Sequence, residues 1–506
     1  MASTRVSDSV NPQGEGAVSD TPGSAKKKRK TSTGTARQAV ILVHGMGEQI
    51  PMDTVKGFVS TLWQNTPGSV NEIWSKPDTR TCSLELRRIT TRKSEPSSHF
   101  QQGVRSDFFE LYWADLTAGS TWDQFVGWVR YLLIRPLDKV PPALRQAWYA
   151  LWVATLFVIS MGILGLVPDN IWSSHAPEWL PRALFLAIVA ALTALLHKLV
   201  AQTFGRVVRY TRADPDNIAA RAAVRTRGLN LLRALHEGDE YDRVILVAHS
   251  LGSILAYDLL TYFWAEKTNS ISILQGTTAF KALREVELAA LDLDAFAARG
   301  TANVSELNRA QLKYREAQAQ LWNCLATLDP QSGRSPAEDR WLISDFVTFG
   351  SPLAHAEVLL ASGKADLKAR FDAREMPISP PVREPLEART KNIAASSGMT
   401  DDNGVVLPKL MSYPSKDDPE RWIINHGAPF SVVRWTNVYD PSSRVYQGDL
   451  IGGQHAPVFG LGVKDIDLSS FDGRSTRFTH TLYWNAGCSP KRIQAFREAV
   501  NLPNAL

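Results

Sequence analysis

Short apolar runs and longer amphipathic stretches follow one another along the chain, and together they predict an α/β fold. Short apolar runs without alternation, such as Val244-Ile245-Leu246-Val247, are typical of strands buried on both faces of a parallel sheet. Between these runs, apolar residues recur at intervals of three and four, which predicts helices. The predicted strands are 39–43, 84–89, 108–113, 244–247, 346–349, 432–439 and 464–469, and the predicted helices include 54–65, 218–235 and 490–500.

A strand, a sharp turn and a helix are predicted at 244–258, with Ser250 at the apex of the turn. The apolar run leads into AHSLG at 248–252, and apolar residues then recur at helical spacing. A serine hydroxyl becomes an effective nucleophile when it is held clear of the backbone, beside a base and near the N-terminal end of a helix. The pattern matches a nucleophile elbow, usually written G-x-S-x-G, with Ala248 in place of the first glycine. The alternative is an ordinary strand-to-helix turn that Ser250 caps.

A second glycine-containing turn follows the first predicted strand. Residues 39–43 run directly into HGMGEQ at 44–49. Glycines just past a strand permit a turn whose backbone amides point outward, as the stabilisation of a developing oxyanion requires. The candidate amides are those of Met46 and Gly47 in this turn, together with that of Leu251 after Ser250. His44 is interpreted as a structural residue or as one that supports the site.

The composition changes sharply between 147 and 200, where we predict two membrane-spanning helices. Residues 147–167 carry no charge over 21 positions, the length that crosses a hydrocarbon core of roughly 30 Å. Residues 180–200 form the second segment, and tryptophans lie near the expected boundaries. Cations flank the pair and are scarce in the connecting loop, so the positive-inside rule predicts that both long soluble portions face the cytoplasm. A buried helical hairpin or a hydrophobic lid within a soluble enzyme is the alternative.

Chain length bounds the number of domains, and the net charge points to one feature, a basic segment at the N-terminus. At 506 residues, the chain predicts one large domain with insertions or two to three units. The net charge of +5 equals the charge of the run 26–30, so the remainder is close to neutral and no nucleic-acid partner is expected. Residues 1–36 predict a disordered basic tail; a nuclear-localisation signal or contact with anionic lipid are the alternatives. Three distant cysteines predict neither a disulfide framework nor a metal site.

Residues 37–140 and 205–506 are predicted to build the α/β domain on either side of the apolar pair. Two insertions interrupt the second part. The first, at about 270–338, is helical and charged, and is interpreted as a lid, a partner surface or packing material. The second, at about 363–425, is rich in Pro, Ser, Lys and Asp, which predicts a mobile excursion over the top of the sheet.

Three polar residues follow strand ends in the order Ser250, Asp440, His480. In acyl transfer, His480 takes the proton from Ser250 and later gives it to the leaving group, while Asp440 orients the imidazole. His455 is the rival base, but it precedes the last predicted strand. Asp449 is the rival acid, but it lies farther beyond the strand end than Asp440. Taken singly, Asp440 is a turn former and His480 a surface histidine; their joint position at successive strand ends favours a triad.

On these residues the chain resembles the α/β-hydrolase superfamily, in particular membrane-associated lipases and serine esterases of bacterial type. The matching pieces are VHGMGEQ, VAHSLGSILAYD, FVTFGSPL, WTNVYDP and HTLYW. The resemblance implies the α/β-hydrolase fold, with Ser250 as nucleophile, Asp440 as acid and His480 as base, because that family has the chain order serine, acid, histidine. It implies no cofactor. Ser443 stands where relatives often have a second aspartate, three residues after the acid.

The sequence therefore predicts a membrane-anchored serine hydrolase of carboxylic esters, with lipid or phospholipid esters as the favoured substrates. Acyltransferase, thioesterase or amidase activity on the same three residues is the first alternative. A non-catalytic membrane-anchored scaffold, acting through its helical insertion and basic tail, is the second, since fold alone does not establish function. The expected partners are the ester substrate and the bilayer.

Overall fold

The fold is organised around a mainly parallel sheet of eight strands, seen in a computed structural model of the chain. The structure describes residues 35–45, 50–64, 72–81, 83, 85–117, 133–137, 140, 144–168, 171–172, 183–191, 215–237, 239–300, 303–327, 340–442, 447–484 and 488–504. The strands of the sheet are β1 (Ala36–Val43), β2 (Ile73–Pro77), β3 (Arg87–Lys93), β4 (Val104–Leu111), β5 (Arg243–His249), β6 (Ile343–Phe349), β7 (Arg434–Tyr439) and β8 (Lys464–Asp467).

The strand order is β8-β7-β6-β5-β1-β4-β3-β2. The six strands from β8 to β4 are parallel, and β3 and β2 add antiparallel pairs at one edge. The carboxyl ends of the six parallel strands therefore meet at one edge of the sheet. The result is an α/β architecture in which the loops after β5, β7 and β8 can approach one another.

The strand β5 is buried on both faces, which explains its uninterrupted apolar run. Val244, Leu246 and Ala248 belong to one hydrophobic core, and Ile245 and Val247 belong to the core on the other face. Successive side chains of a strand point to opposite faces, so a central strand needs apolar residues at every position.

Helices cover both faces of the sheet. The core that contains Leu246 is covered by α3, α4, α5 and α6, and the core that contains Val247 is covered by α1 and α12. The α-helices that the structure describes with defined bounds are α1 (Asp53–Val59), α2 (Arg145–Gly165), α3 (Pro215–Glu237), α4 (Gly252–Lys267), α5 (Thr278–Arg299), α6 (Val304–Ala326), α7 (Ala356–Leu359), α8 (Lys364–Asp372), α9 (Ala388–Ser397), α10 (Ala456–Phe459), α11 (Ser469–Asp472) and α12 (Pro490–Val500).

The elements that the apolar pattern marks most clearly agree with the prediction. Helix α12 has the predicted bounds, and β1, β5 and β6 extend the predicted strands by a few residues. The strand predicted at 84–89 begins and ends later, as β3, and β2 was not predicted. Because β2 is an exposed edge strand, it lacks the apolar alternation that identifies a buried one.

The helical insertion packs on the sheet through α6. The side chain of Gln318 donates to the carbonyl oxygens of Phe430 (2.6 Å) and Val433 (3.1 Å), and Tyr314 donates to Phe430 at 2.5 Å. Arg315 donates to the carbonyl oxygen of Trp435 at 3.0 Å. Among the three interpretations of this insertion, its contacts in the described residues favour packing, because α6 is tied to the chain that leads into β7.

The second insertion contains helices and short strands, whereas its composition predicted an irregular excursion. It contains α8, α9 and the short strands Glu384–Pro385, Lys409–Leu410, Ser412–Pro414 and Arg421–Ile424. The carboxylate of Glu287, on α5, accepts hydrogen bonds from the amides of Met411 and Ser412 and from the Ser412 hydroxyl. Pro and Ser content indicated a loop, but apolar residues such as Trp422 and Ile424 give the segment its own buried contacts.

The structure does not support the predicted pair of membrane-spanning helices. Within the described part of the chain, no helix is both long enough and apolar enough to cross a bilayer.

Residues Thr35–Leu506 form one compact unit. The predicted basic tail lies outside the described residues, except for its last two positions.

Candidate active site

Ser250 occupies a strained turn between β5 and α4. Its φ is +52°, in the left-handed region that residues with a Cβ atom rarely adopt, at a cost of roughly 1–3 kcal/mol. The amide of Ser250 donates to the carbonyl oxygen of Phe349 (3.0 Å), at the end of β6. The Ser250 carbonyl oxygen accepts from the Ser253 hydroxyl (2.5 Å), and Ser253 is hydrogen-bonded to the Ser351 hydroxyl (2.6 Å). These contacts hold the turn in its strained form.

A small residue is required where α4 begins. A Cβ atom at Gly252 would lie 2.3 Å from the His44 carbonyl oxygen and 2.5 Å from that of Val43, so the helix passes the end of β1 at backbone contact. Ala248, which replaces the first glycine of the sequence pattern, is fully buried within β5. The second small position of the pattern is therefore the one that the packing demands.

His480 lies between Ser250 and a carboxylate. Its Nε2 atom is 2.8 Å from Ser250 Oγ, and its Nδ1 atom is 3.0 Å and 3.1 Å from the two oxygens of Asp449. A carboxylate only accepts hydrogen bonds, so Nδ1 carries the proton and donates to Asp449. Nε2 then accepts from the Ser250 hydroxyl, which is the arrangement of a serine poised to lose its proton to a base.

Asp449 is held as a charged acceptor. Its Oδ1 atom accepts from the amides of Ile451 and Gly452 (both 2.9 Å), and its Oδ2 atom accepts from the Tyr483 hydroxyl (2.7 Å). Burial raises the pKa of Asp449, but the hydrogen bond and charge of His480 and these further donors outweigh burial, so the net pKa lies below its ordinary value. The side chain is thus an ionised group inside the protein.

Asp440, the acid assigned from the sequence, does not contact His480. Its buried carboxylate accepts from the Ser475 hydroxyl (2.6 Å) and lies 3.4 Å from the guanidinium of Arg492. The assignment is wrong in geometry because the chain doubles back after β7: the Asp449 amide donates to the Asp440 carbonyl oxygen at 2.9 Å. The rival acid therefore returns to the strand end that Asp440 also occupies.

Gly448 was the sequence signal for this return. It has φ +77°, and a Cβ atom there would lie 2.4 Å from the Pro441 carbonyl oxygen. A glycine that directly precedes an aspartate in a loop indicates a sharp reversal, and the reversal presents Asp449 to the imidazole. Distance along the chain from the strand end was the wrong criterion.

Of the three candidate oxyanion residues, the structure describes only Leu251. Leu251 directly precedes α4, so its amide belongs to the N-terminal end of that helix. Met46 and Gly47 lie outside the described residues. His44 is buried and held by Trp113, whose backbone amide donates to the His44 ring (3.2 Å) and whose indole donates to the His44 carbonyl oxygen (3.0 Å). It has the structural position expected of it.

Two further histidines lie nearby, His249 partly exposed and His455 fully buried. His249 stacks on His480 with ring centroids 5.1 Å apart, and its Nε2–H donates to the His480 carbonyl oxygen at 2.9 Å. Burial and the neighbouring His480 lower the pKa of His249 to about 3, so it stays neutral. His455, the rival base, lies 3.4 Å from the Ser351 carbonyl oxygen and packs on Trp435; burial lowers its pKa to about 3. It makes no hydrogen bond to Ser250 among the described residues.

No cluster of His, Cys, Asp and Glu suited to a metal ion occurs in the portion of the chain that the structure describes. No family model matches the chain, and no curated protein or solved structure is significantly similar to it.

Proposed function

We propose that the chain is a serine hydrolase of carboxylic esters with an α/β-hydrolase fold. The observation that carries the proposal is the line of hydrogen bonds from the Ser250 hydroxyl through His480 to Asp449. Two further features support it: the serine follows β5, an interior strand of a mainly parallel sheet, and it occupies a strained turn before a helix. Asp449 takes the role that the sequence analysis gave to Asp440.

The proposed reaction begins with transfer of the Ser250 hydroxyl proton to Nε2 of His480, while Oγ attacks the ester carbonyl carbon. Asp449 stabilises the imidazolium through Nδ1. The protonated Nε2 then gives its proton to the departing alkoxide, the carbon–oxygen bond of the ester breaks, and the acyl group stays on Ser250. In the second half, His480 removes a proton from water as its oxygen attacks the acyl carbon. The protonated His480 then gives that proton to Ser250 Oγ, the bond between Oγ and the acyl carbon breaks, and the acid is released.

The oxyanion of each tetrahedral intermediate needs backbone amides as donors. The Leu251 amide is one proposed donor, since it follows the nucleophile at the start of α4. An amide of the turn that contains Met46 and Gly47 is the proposed second donor. This turn follows Gly45, where a Cβ atom would lie 2.9 Å from Ser250 Cβ, so the chain reaches the turn beside the nucleophile.

Lipid esters are the proposed substrate class. Ser250 and His480 are only 2% and 5% exposed, so an ester has to enter a recessed position to reach the nucleophile. Helix α2 exposes large apolar side chains, including Val153 (68%), Phe157 (58%) and Ile163 (62%). Exposed apolar surface of this kind marks a binding surface. We propose that α2 contacts a bilayer or a lipid aggregate, which presents a water-insoluble ester.

The first test is labelling of the full chain with a fluorophosphonate probe. The wild-type protein is expected to react, and Ser250→Ala is expected to abolish labelling without loss of the fold, as judged by circular dichroism and thermal unfolding. Ser396→Ala is the matched control, because Ser396 is exposed on α9 and bonds only a local carbonyl oxygen at Ile393. Labelling that survives in Ser250→Ala, or a folded wild-type protein that never reacts, would overturn the proposal.

The second test addresses the substrate class. Hydrolysis of an ester series is measured below and above the concentration at which each ester aggregates, beside thioester and amide analogues. A rate that rises on aggregation is expected. Val153→Asp is expected to weaken flotation with phospholipid vesicles, whereas Val304→Asp is not: Val304 lies on α6 and has the same exposed fraction of 68%. Equal rates on both physical forms, or equal flotation of the two variants, would contradict the lipid assignment.

A further inference from the structure

The hydroxyl group of Tyr483 lies against the carboxylate of Asp449. It donates to Asp449 Oδ2 at 2.7 Å and accepts from the backbone amide of Asp440 at 3.3 Å. Tyr483 belongs to the same short segment as His480 and stands three residues after it in the sequence. The proposed mechanism uses His480 and Asp449 and gives no role to this phenol.

The direction of the Tyr483 proton follows from its two partners. The amide of Asp440 can only donate, so the phenol oxygen accepts there. A carboxylate can only accept, so the phenol proton points at Asp449. Burial and the charge of Asp449 raise the pKa of Tyr483 well above its ordinary value, and the phenol therefore remains a donor across the working pH range.

The packing around this hydrogen bond excludes a substitute donor. Asp449 is 1% exposed and Tyr483 is 5% exposed. A Cβ atom added at Gly350 would lie 2.7 Å from both Asp449 Oδ2 and the Tyr483 ring, so the space is already filled. The ring itself is held edge-on by Phe349 and His249. Water has no room to take over from a missing hydroxyl group.

The two oxygens of Asp449 thus have different donors. Oδ1 receives the amides of Ile451 and Gly452, and Oδ2 receives Tyr483. His480 Nδ1 lies about equally far from both oxygens, at 3.0 Å and 3.1 Å. The carboxylate can be centred on the imidazole in this way only while each oxygen is tied on its own side.

We propose that Tyr483 is a positioning residue that orients Asp449 toward His480 and spreads its negative charge. The inference rests on the proposed hydrolase function and deepens it. Without the phenol proton, Oδ2 loses one donor at a tightly packed position, and the charge of Asp449 is less dispersed. The carboxylate can then rotate away from its centred position, and the Asp449–His480 pair binds a proton more tightly, which keeps His480 from acting as a base at low pH.

The test compares Tyr483→Phe with Tyr314→Phe in the full chain. Tyr314 is the matched control, since it is a fully buried phenol that donates to the carbonyl oxygen of Phe430 at 2.5 Å, and it lies on α6 outside the site. For Tyr483→Phe we expect kcat to fall roughly ten- to hundredfold with KM unchanged. The acidic limb of the kcat/KM profile should also move to higher pH. Tyr314→Phe should match the wild-type protein in both respects.

A double-mutant cycle separates positioning from a general loss of structure. If Tyr483 acts through the carboxylate, then adding Tyr483→Phe to Asp449→Asn should slow the reaction much less than adding it to the wild-type protein. Full additivity, or a Tyr483→Phe variant with the same kcat and pH profile as Tyr314→Phe, would overturn the inference.

A second measurement does not depend on turnover. The ring of His480 is titrated by NMR on histidine-labelled protein, with His480→Gln to assign its signal. We expect the titration midpoint of His480 to be higher in Tyr483→Phe than in the wild-type protein. A shift in a protein that hydrolyses no ester would sustain the positioning role and refute the hydrolase. An unchanged midpoint in an active protein would refute the positioning role alone.

Discussion

The strands β5, β6 and β7 carry buried charge at both of their ends, and the two ends are built differently. At the amino end, Asp345 on β6 lies 2.5 Å from Arg243 on β5 and 2.8 Å from Arg434 on β7. All three side chains are at most 1% exposed. At the carboxyl end, Asp449 faces a histidine, two amides and a phenol, with no arginine or lysine among its hydrogen-bond partners in the described residues.

The carboxylates of Asp345 and Asp449 differ in whether their partners can exchange a proton. At the amino end the partners are guanidinium groups, which hold their protons at ordinary pH. The remaining N–H groups of Arg243 bond Ser344, Gln38 and the carbonyl oxygen of Asn501, and Arg434 also donates to the side-chain oxygen of Asn504. Burial is the largest single influence and raises the pKa of Asp345, but the charges of Arg434 and Arg243, with the hydrogen bonds from Arg434 and Ser344, together outweigh it, so the pKa lies below its ordinary value and the carboxylate stays ionised. At the carboxyl end the partner is an imidazole, whose proton can move at ordinary pH. The charged cluster at the amino end can hold the strands together, and the Asp449–His480 pair at the carboxyl end can also transfer a proton.

The sharpest way to test this contrast is to make the same substitution at both ends, beginning with Asp449→Asn. The amide keeps the size of the side chain but cannot stabilise the imidazolium, and it disturbs the proton on Nδ1. We expect kcat to fall by roughly three to four orders of magnitude with little change in thermal stability. Steady-state hydrolysis and calorimetry on the same preparation measure both. A loss of less than tenfold would mean that Asp449 is not the acid.

Asp345→Asn should give the opposite result. Removing the shared carboxylate leaves two buried guanidinium groups without their counter-charge, which costs about 3–5 kcal/mol of unfolding free energy. Chemical denaturation measures this loss. Below the unfolding transition, kcat should stay within a few-fold of the wild-type value, because the cluster lies at the far end of the strands from Ser250. A selective loss of kcat in stable protein would break the contrast.

A smaller effect, on the pH dependence of stability, is expected from Glu110 at the carboxyl ends of the parallel strands. It lies near the end of β4, is fully buried, and accepts from the Met52 amide at 2.6 Å. Burial raises its pKa to about 7, against which the Met52 amide and the nearby Lys56 act only in part. A carboxyl whose folded pKa is raised contributes stability below its unfolded pKa of about 4.5, and loses it as pH rises through about 7.

The wild-type protein should therefore lose unfolding free energy between pH 4.5 and 7 through Glu110, by at most about 3 kcal/mol. Glu110→Gln should flatten the dependence over that interval, since the amide is neutral throughout. Denaturation midpoints at pH 5 and pH 8 measure the change. Parallel pH profiles for the two proteins would show that Glu110 is ionised in the folded protein at both pH values.

Sequence patterns identified the sheet and two of the three site residues, and they failed where a loop reverses. Buried strands such as β5 and β6 are readable because burial on both faces demands apolar residues at every position. Ser250 and His480 were found because each follows a strand or a strand-like segment in a fixed order. Asp449 was ranked below Asp440 because position relative to the strand end was taken as position in space.

Other differences between the sequence predictions and the structure also arise from tertiary contacts. The segment 363–425 has the composition of a loop, but its few apolar residues are buried with Glu287 as the local acceptor. Tyr483 was part of the motif HTLYW, yet its contact with Asp449 depends on two loops meeting, which no local pattern records. The apolar stretch 147–167 stands out in composition, but no helix among the described residues is long and apolar enough to span a membrane.

The smallest expected effect belongs to Asp440→Asn, and it separates the two aspartates most directly. Asp440 bonds Ser475 and pairs with Arg492, so the amide keeps an acceptor for Ser475 and loses only the charge partner of a cation that is itself partly exposed. We expect a loss of about 1 kcal/mol in unfolding free energy and less than a tenfold change in kcat/KM. Arg492→Gln removes the same pair from its other side together with the pair that Arg492 forms with Asp472 at 2.8 Å, so it should lose somewhat more stability but leave kcat/KM equally little changed. If Asp440→Asn instead lost as much activity as Asp449→Asn while Arg492→Gln did not, the acid would be Asp440, and the loop after β7 would have to rearrange during the reaction.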